Sequence, residues 1–241
     1  MDTVVEGIVL KETPYSETSK VIQILTKEYG LISVLAKGAL SPKSNLRALS
    51  LPFLYAKFNI SYKKDKLSIL KSGMPIILYG TKVHNIEFYA YISYLCELSY
   101  KVLLENNDKD IFKILINGLN KMCDGLDYNV IKNIIEFKYL HYLGIDPDLS
   151  ICHKCLCEKE PYAIDGKIGG FVCSECYTNE REVPSNFKKI LERFMNVNID
   201  EINEIKLSKE NAKIVNEFLR EYYSSFSAIY LNSEKFLLPY E

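Results

Sequence analysis

Over roughly the first 75 residues, apolar and polar positions alternate in short runs. The segments Val4 to Lys11, Lys20 to Thr26, Leu31 to Ala36, Pro52 to Tyr62 and Lys66 to Leu70 are rich in Val, Ile, Leu and aromatics, as half-buried strands are. Five strands in so short a span predict a small barrel. Between the third and fourth, Ser41 to Leu49 carries Pro42 and then Leu46 and Leu49 at i, i+3, which suits one short helix. A five-stranded barrel with a helix after strand three is the plan of an OB fold. From Val83 onward the period lengthens to about 3.6, with Phe88, Ile92, Leu95, Leu98 and Val102 on one helical face. Further helices are predicted over Ile111 to Cys123, Val130 to Leu143, Pro184 to Met195, and from an N-cap at Ser208 toward Phe226.

The expected fold class is therefore α+β: an N-terminal OB barrel over residues 1–80, then a helical domain over 81–241. The change of period near Gly80 sets that boundary. With 48% hydrophobic and 25% charged residues, the 241-residue chain has a globular composition. The longest apolar stretch, near Phe88 to Leu104, is broken by Ser93, Glu97, Ser99 and Lys101, and is too interrupted for a membrane span. The acidic start Met1-Asp2-Thr3 is unlike a signal peptide, so the expected location is cytoplasmic.

A net charge of −1 conceals an asymmetry: residues 1–80 carry +5 and residues 81–241 carry −6. Within the first part, Lys37, Lys43, Arg47, Lys57, Lys63, Lys64, Lys66 and Lys71 stand against Asp65 alone, a net +7 over 35 residues. So concentrated a positive charge is a candidate footprint for a polyanion. Lys63 and Lys64 fall in the loop between strands four and five, which OB folds often use for oligonucleotides. The outward set of strand four, Phe53, Tyr55, Lys57 and Asn59, mixes aromatic and basic side chains, as a base-stacking platform would. Packing of Phe53 and Tyr55 against helices is the competing expectation.

The seven cysteines are informative through their spacing. Cys152-His153-Lys154-Cys155 is followed after 17 residues by Cys173-Ser174-Glu175-Cys176. Two C-x2-C knuckles at that interval fit a zinc ribbon, here an insertion at about 148–180 in the helical domain. Four thiolates close a tetrahedron around Zn2+ and leave no position for water, so the predicted role is structural. Cys157 and His153 are alternative ligands that the spacing disfavours; Cys96, Cys123, His84 and His141 are expected to be structural. No G-x-x-x-x-G-K-[ST], G-x-S-x-G or G-x-G-x-x-G signature occurs, and the H-x-E pairing of a zinc deaminase is missing too. The expectation is a binding protein, not an enzyme.

Tyr15-Ser16-Glu17-Thr18-Ser19-Lys20, Leu25-Thr26-Lys27-Glu28-Tyr29-Gly30, Lys37-Gly38-Ala39 with Pro42-Lys43-Ser44, Leu51-Pro52-Phe53, Tyr142-Leu143-Gly144 and Gly169-Gly170-Phe171-Val172-Cys173 follow one another along the chain. In order and spacing the set resembles the bacterial DNA repair protein RecO family over the whole length. The resemblance implies an OB fold joined to a helical domain with a four-cysteine zinc element. It also implies binding of single- and double-stranded DNA, annealing of complementary strands, and work with RecR and single-strand binding protein to load RecA, in the nucleoid. Many relatives carry a basic residue after Lys37-Gly38-Ala39, where this chain has Leu40 and Ser41. Two other classes fit the same parts: an RNA-binding accessory protein, and an interaction scaffold whose lysines only solvate the sheet.

Overall fold

The structure, a computed structural model, describes residues 1–82 and 85–237; His84 lies outside them. The chain forms two compact units, Met1–Cys123 with Ser233–Leu237, and a second containing Asp124–Asn232.

In the first unit β1 (Asp2–Pro14), β2 (Lys20–Thr26), β3 (Gly30–Ala36), β4 (Leu54–Ser61) and β5 (Ser68–Leu78) close a barrel in the order β1-β2-β3-β5-β4. A closed five-stranded barrel with a short helix after strand three is the OB plan expected from the sequence. All pairings are antiparallel except β3 with β5, which is parallel and rests on two residue pairs, Val34 with Ser68 and Leu35 with Ile69. The alternation read in strand four places its apolar half inside: Leu54, Ala56, Phe58 and Ile60 are buried with Val5, Val9, Ile22, Ile24 and Val34. Helix α1 (Leu46–Leu49) buries Leu49 in the barrel core beside Gly73 of β5.

β5 runs eight residues past the Leu70 end expected from the sequence. Two register shifts against β4 break its period, and Met74, Pro75 and Ile76 are exposed, so no alternation marked the extension. Pro75 offers no N–H to a ladder, which suits an open strand edge.

Two longer helices complete this unit after the short α2 (Tyr79–Lys82): α3 (Ile86–Glu105) and α4 (Asp110–Cys123). The stripe from Phe88 to Val102 on α3 is buried, as its spacing requires. The Asn85 side chain caps α3 by accepting from Glu87 N at 2.9 Å. Tyr79 is fully buried and donates its hydroxyl to Asn120 Oδ1 at 2.7 Å. Ser233 donates from both its N–H and its hydroxyl to Glu97 Oε2 at 2.8 and 2.5 Å.

The second unit is built on α5 (Tyr128–Tyr142), which is buried along nearly its whole length and packs with α6 (Phe187–Asn196) and α7 (Lys209–Phe226). Phe137 lies at its centre, with the rings of Phe194 and Phe218 at 6.3 and 6.2 Å. Ser208 caps α7 through Asn211 N at 3.2 Å, as expected. α6 begins three residues after Pro184, whose carbonyl accepts from Phe187 N at 2.9 Å.

Three short strands not anticipated from the sequence, β6 (Ala163–Asp165), β7 (Gly170–Val172) and β8 (Arg181–Glu182), form a sheet in the order β7-β6-β8 around the cysteine knuckles. The sheet docks on α7 through Arg181, whose Nε meets Glu217 at 2.7 Å and Nη2 meets Glu221 at 3.2 Å. Gly166 N also donates to Glu221, and a Cβ there would lie 2.4 Å from Phe218 O, so the approach requires glycine.

Candidate metal centre and nucleic-acid interface

The sulfurs of Cys152, Cys155, Cys173 and Cys176 all lie within 4.8 Å of one another. The turns of the two knuckles bring them there. Cys176 N donates to Cys173 O at 3.1 Å in one, and Leu156 N donates to Cys152 O at 2.8 Å in the other, with Leu156 in the left-handed region at φ 59°. The packed cluster of this element contains these four cysteines with Ala163, Val172, Ile168 and Tyr177, so sulfur supplies half of its members. Four thiols so close together, with little other core, could hold a metal ion such as Zn2+.

The thiols differ electrostatically. Burial opposes ionisation of Cys152, but N–H groups of Cys173, Cys155 and Lys154 directed at its sulfur prevail and bring it down to about 6; one of these, from Cys173, spans 3.4 Å. Cys176, hydrogen-bonded to Cys173 and desolvated, is pushed up to about 12. Hydrogen bonds to a thiolate favour it, whereas crowded neighbouring sulfurs compete for the same charge, which a cation would relieve.

Cys157 and His153 lie outside the group. Cys157 is exposed and its Sγ faces Cys155 O at 3.4 Å, while His153 Nε2 lies 2.8 Å from Asp148 O. The knuckles are cross-braced by Lys154, which bonds Glu180 at 2.5 Å, Thr178 Oγ1 at 2.8 Å and Cys176 O at 3.2 Å. Cys96 is buried on α3 and its thiol is pushed up by desolvation, whereas Cys123 is half-buried. His141 is exposed beside Asp146.

The basic residues of the barrel are distributed over several elements. Lys63, Lys64 and Lys66 stand together on the β4–β5 loop. That loop is a tight turn, with Asp65 at φ 55° and Lys63 N donating to Ser68 Oγ at 3.1 Å. Lys37 and Lys43 follow the end of β3, three and nine residues beyond Val34, which pairs with Ser68 at the start of β5. Arg47 lies on α1, and Lys57 points outward from β4 between Glu6 of β1 and Met74 of β5. Among the described residues, no carboxylate lies within ion-pair distance of these seven or of Lys71. Lys20, by contrast, is buried and paired with Glu12.

The aromatics at the basic loop differ from those expected. Phe53 is buried, with its ring against Tyr89 at 5.4 Å. Tyr55 packs near Phe112 at 6.1 Å and donates its hydroxyl to Glu6, so helix packing claims both rings of the anticipated platform.

Tyr29, on the β2–β3 turn, and Tyr62, at the end of β4, instead stack at 4.2 Å with 12° between their planes. Together with Lys63, Lys64 and Lys66 they line a pocket of about 630 Å³. The Tyr29 turn is held from two sides. Thr26 Oγ1 accepts from Tyr29 N at 3.0 Å and donates to Gly30 O at 2.9 Å, while Asn107 Oδ1 accepts from Leu31 N at 2.6 Å. Sequence reasoning missed Tyr29, Tyr62 and Asn107. The usable signal for the tyrosines was their position in loops beside the β2–β3 face that OB folds present to ligands.

Comparison with known proteins agrees with this architecture. The family described as Recombination protein O N terminal matches residues 1–79, and Recombination protein O C terminal matches residues 83–235. The chain is 30% identical to the DNA repair protein RecO of Bacillus subtilis over 241 residues, covering 98% of this chain and 94% of the relative. It is 32% identical to that of Bacillus cytotoxicus over 237 residues, covering 97% and 95%. With both the N-terminal and the C-terminal family models matched and relatives at 30% identity covered along almost their whole length, the chain belongs to the RecO family of DNA repair proteins.

Proposed function

We propose that this chain binds single- and double-stranded DNA through its OB barrel, residues 1–80, and promotes annealing of complementary strands. The observation that carries the reading is the β4–β5 loop, where Lys63, Lys64 and Lys66 lie together without carboxylate partners among the described residues, on a barrel from the RecO family. Cationic side chains neutralise phosphates and release counterions, which lowers the repulsion between two strands without reading their sequence. Such a role needs no nucleotide cofactor and no bond-making step. Lys37, Lys43, Arg47 and Lys57 extend the contact to further phosphates. In this reading RecR and single-strand binding protein are partners, RecA is loaded as a consequence, and the protein works at the nucleoid.

The same proposal assigns one structural Zn2+ to Cys152, Cys155, Cys173 and Cys176. The ion would supply charge neutralisation and a covalent anchor to an element whose other apolar content is small.

The deciding experiment measures annealing of complementary strands already coated by single-strand binding protein. The purified chain is expected to accelerate it, with an effect that weakens as salt rises. An annealing rate unchanged by the protein at low salt would overturn the proposal.

A further inference from the structure

The pocket beside the β4–β5 loop has the chemistry of a nucleotide site. One wall is the stacked pair Tyr29 and Tyr62, which come from separate loops; Tyr29 is 40% exposed. Val21, Leu31 and Ile32 contribute apolar lining, and Lys63, Lys64 and Lys66 are the cations beside it. Asp65 is the one acid in the lining. The volume of about 630 Å³ lies within the roughly 300–1,000 Å³ of pockets that take small organic groups.

Two of the polar side chains at the lining are engaged within the protein. Asn107 uses its amide on both the N–H and the carbonyl of Leu31, at 2.6 and 3.4 Å, and Ser33 donates its hydroxyl to Gln23 Oε1 at 2.8 Å. A flat ring entering here meets π faces and aliphatic surface, while the Asn107 amide and the Ser33 hydroxyl, which could read a base edge, are bonded within the protein.

We propose that this pocket takes one unpaired base of single-stranded DNA, stacked on the tyrosine pair, with the flanking phosphates on the three lysines. The inference rests on the DNA-binding reading above and adds a discrimination that backbone capture alone lacks. A base inside a duplex already has both faces stacked and its edge paired, so it cannot enter without being extruded. Stacking accepts every base because each has a π face. The pocket therefore favours single strands over duplex and is indifferent to sequence. Its turn is preorganised by Thr26 and Asn107, so little ordering of Tyr29 is left for the moment of binding.

The test is fluorescence anisotropy at fixed salt with three probes: oligothymidylate, an abasic strand of the same length, and a duplex. For the unaltered protein, the abasic strand should bind about 5- to 150-fold more weakly than oligothymidylate, the range that stacking one base gives. Tyr62→Leu should lose affinity for oligothymidylate by a similar factor, keep its salt slope, and leave duplex affinity within about twofold. Tyr62→Phe, which retains the ring, should restore tight binding. The abasic comparison needs no variant, so the result stands even where Tyr62→Leu folds poorly.

Equal affinity of the unaltered protein for abasic and normal strands would overturn the base pocket while leaving backbone binding intact. Failure to bind any of the three probes, even at low salt, would overturn the DNA-binding reading as well.

Discussion

At Gly30 the backbone sits at φ 67°, and a Cβ would come 2.4 Å from Asn107 Oδ1. Left-handed backbone costs an L-residue about 1–2 kcal/mol, and here the added carbon would also displace the group that accepts from Leu31 N. Gly30→Ala should therefore lower the stability of the first unit by that order, read as a reduced urea midpoint with an unchanged denaturant slope; an unchanged midpoint would show that neither the turn nor the Asn107 contact is strained by a side chain. The turn itself was legible in Glu28-Tyr29-Gly30, but its partner was not. Asn107 is brought to the turn by the course of α3, and no local pattern encodes a contact between residues so far apart in sequence.

Glu180 offers a second test at this scale. Its bond from Lys154 and the N–H of Thr178 hold its carboxyl well below the ordinary value of 4.5. A carboxylate depressed by folding contributes stability that is complete above its unfolded value and is lost as pH falls below it. The stability gap between the parent and Glu180→Gln should thus be widest near neutrality and shrink below about pH 4. A gap constant from pH 7 to 3 would exclude the ion pair as its cause.

Among the elements, the cysteine-bearing sheet is the one whose packing cannot stand by itself. With sulfur as half of its cluster, replacing two of these cysteines would take away much of the packing together with two of the proposed ligands. Cys173→Ser combined with Cys176→Ser should lose one equivalent of zinc and bring hydrogen exchange at β6 and β7 close to that of an unfolded chain. The helices α5 and α7, which have a core of their own around Phe137, should remain protected. Stoichiometric zinc retained by the double variant would refute the ligand assignment.

The convergence of the four cysteines was legible because the C-x2-C spacing turns two thiols of each knuckle to one side. The strands β6 to β8 were not, since two or three residues are too short for alternation to register. The long helices were readable from their apolar stripes, as the buried face of α3 demonstrates. Tyr55 was legible as outward-facing in strand four, yet alternation cannot say whether an outward ring meets water or a helix; Phe53, expected beside it, instead precedes β4 in the left-handed region and is buried.

For the molecule as a whole, charge is the variable to manipulate. The barrel segment is net positive and the remainder net negative, so a chain of almost zero net charge can still have a strong local attraction for DNA. Replacing Lys63, Lys64 and Lys66 with Glu should reduce the slope of log affinity against log salt by about 2 for single strands, at about 0.7 for each phosphate that is no longer neutralised. The same replacement at Lys37, Lys43 and Arg47 samples the segment after β3 and the short helix and measures how far the bound strand reaches. An unaltered slope in the first variant would remove the loop from the DNA-binding surface.

The parallel junction of β3 with β5, held by two residue pairs where every other junction of the barrel has seven or eight, makes the cylinder unequally strong around its circumference. Thermal opening begins where the fewest rungs must break, so amide exchange at Val34 and Leu35 should outpace that at Ile22 and Ile24. Ser33 and Leu67, at the rim of the tyrosine pocket, directly adjoin that seam, so a thermal opening there would reach the pocket while the longer ladders keep the rest of the cylinder intact.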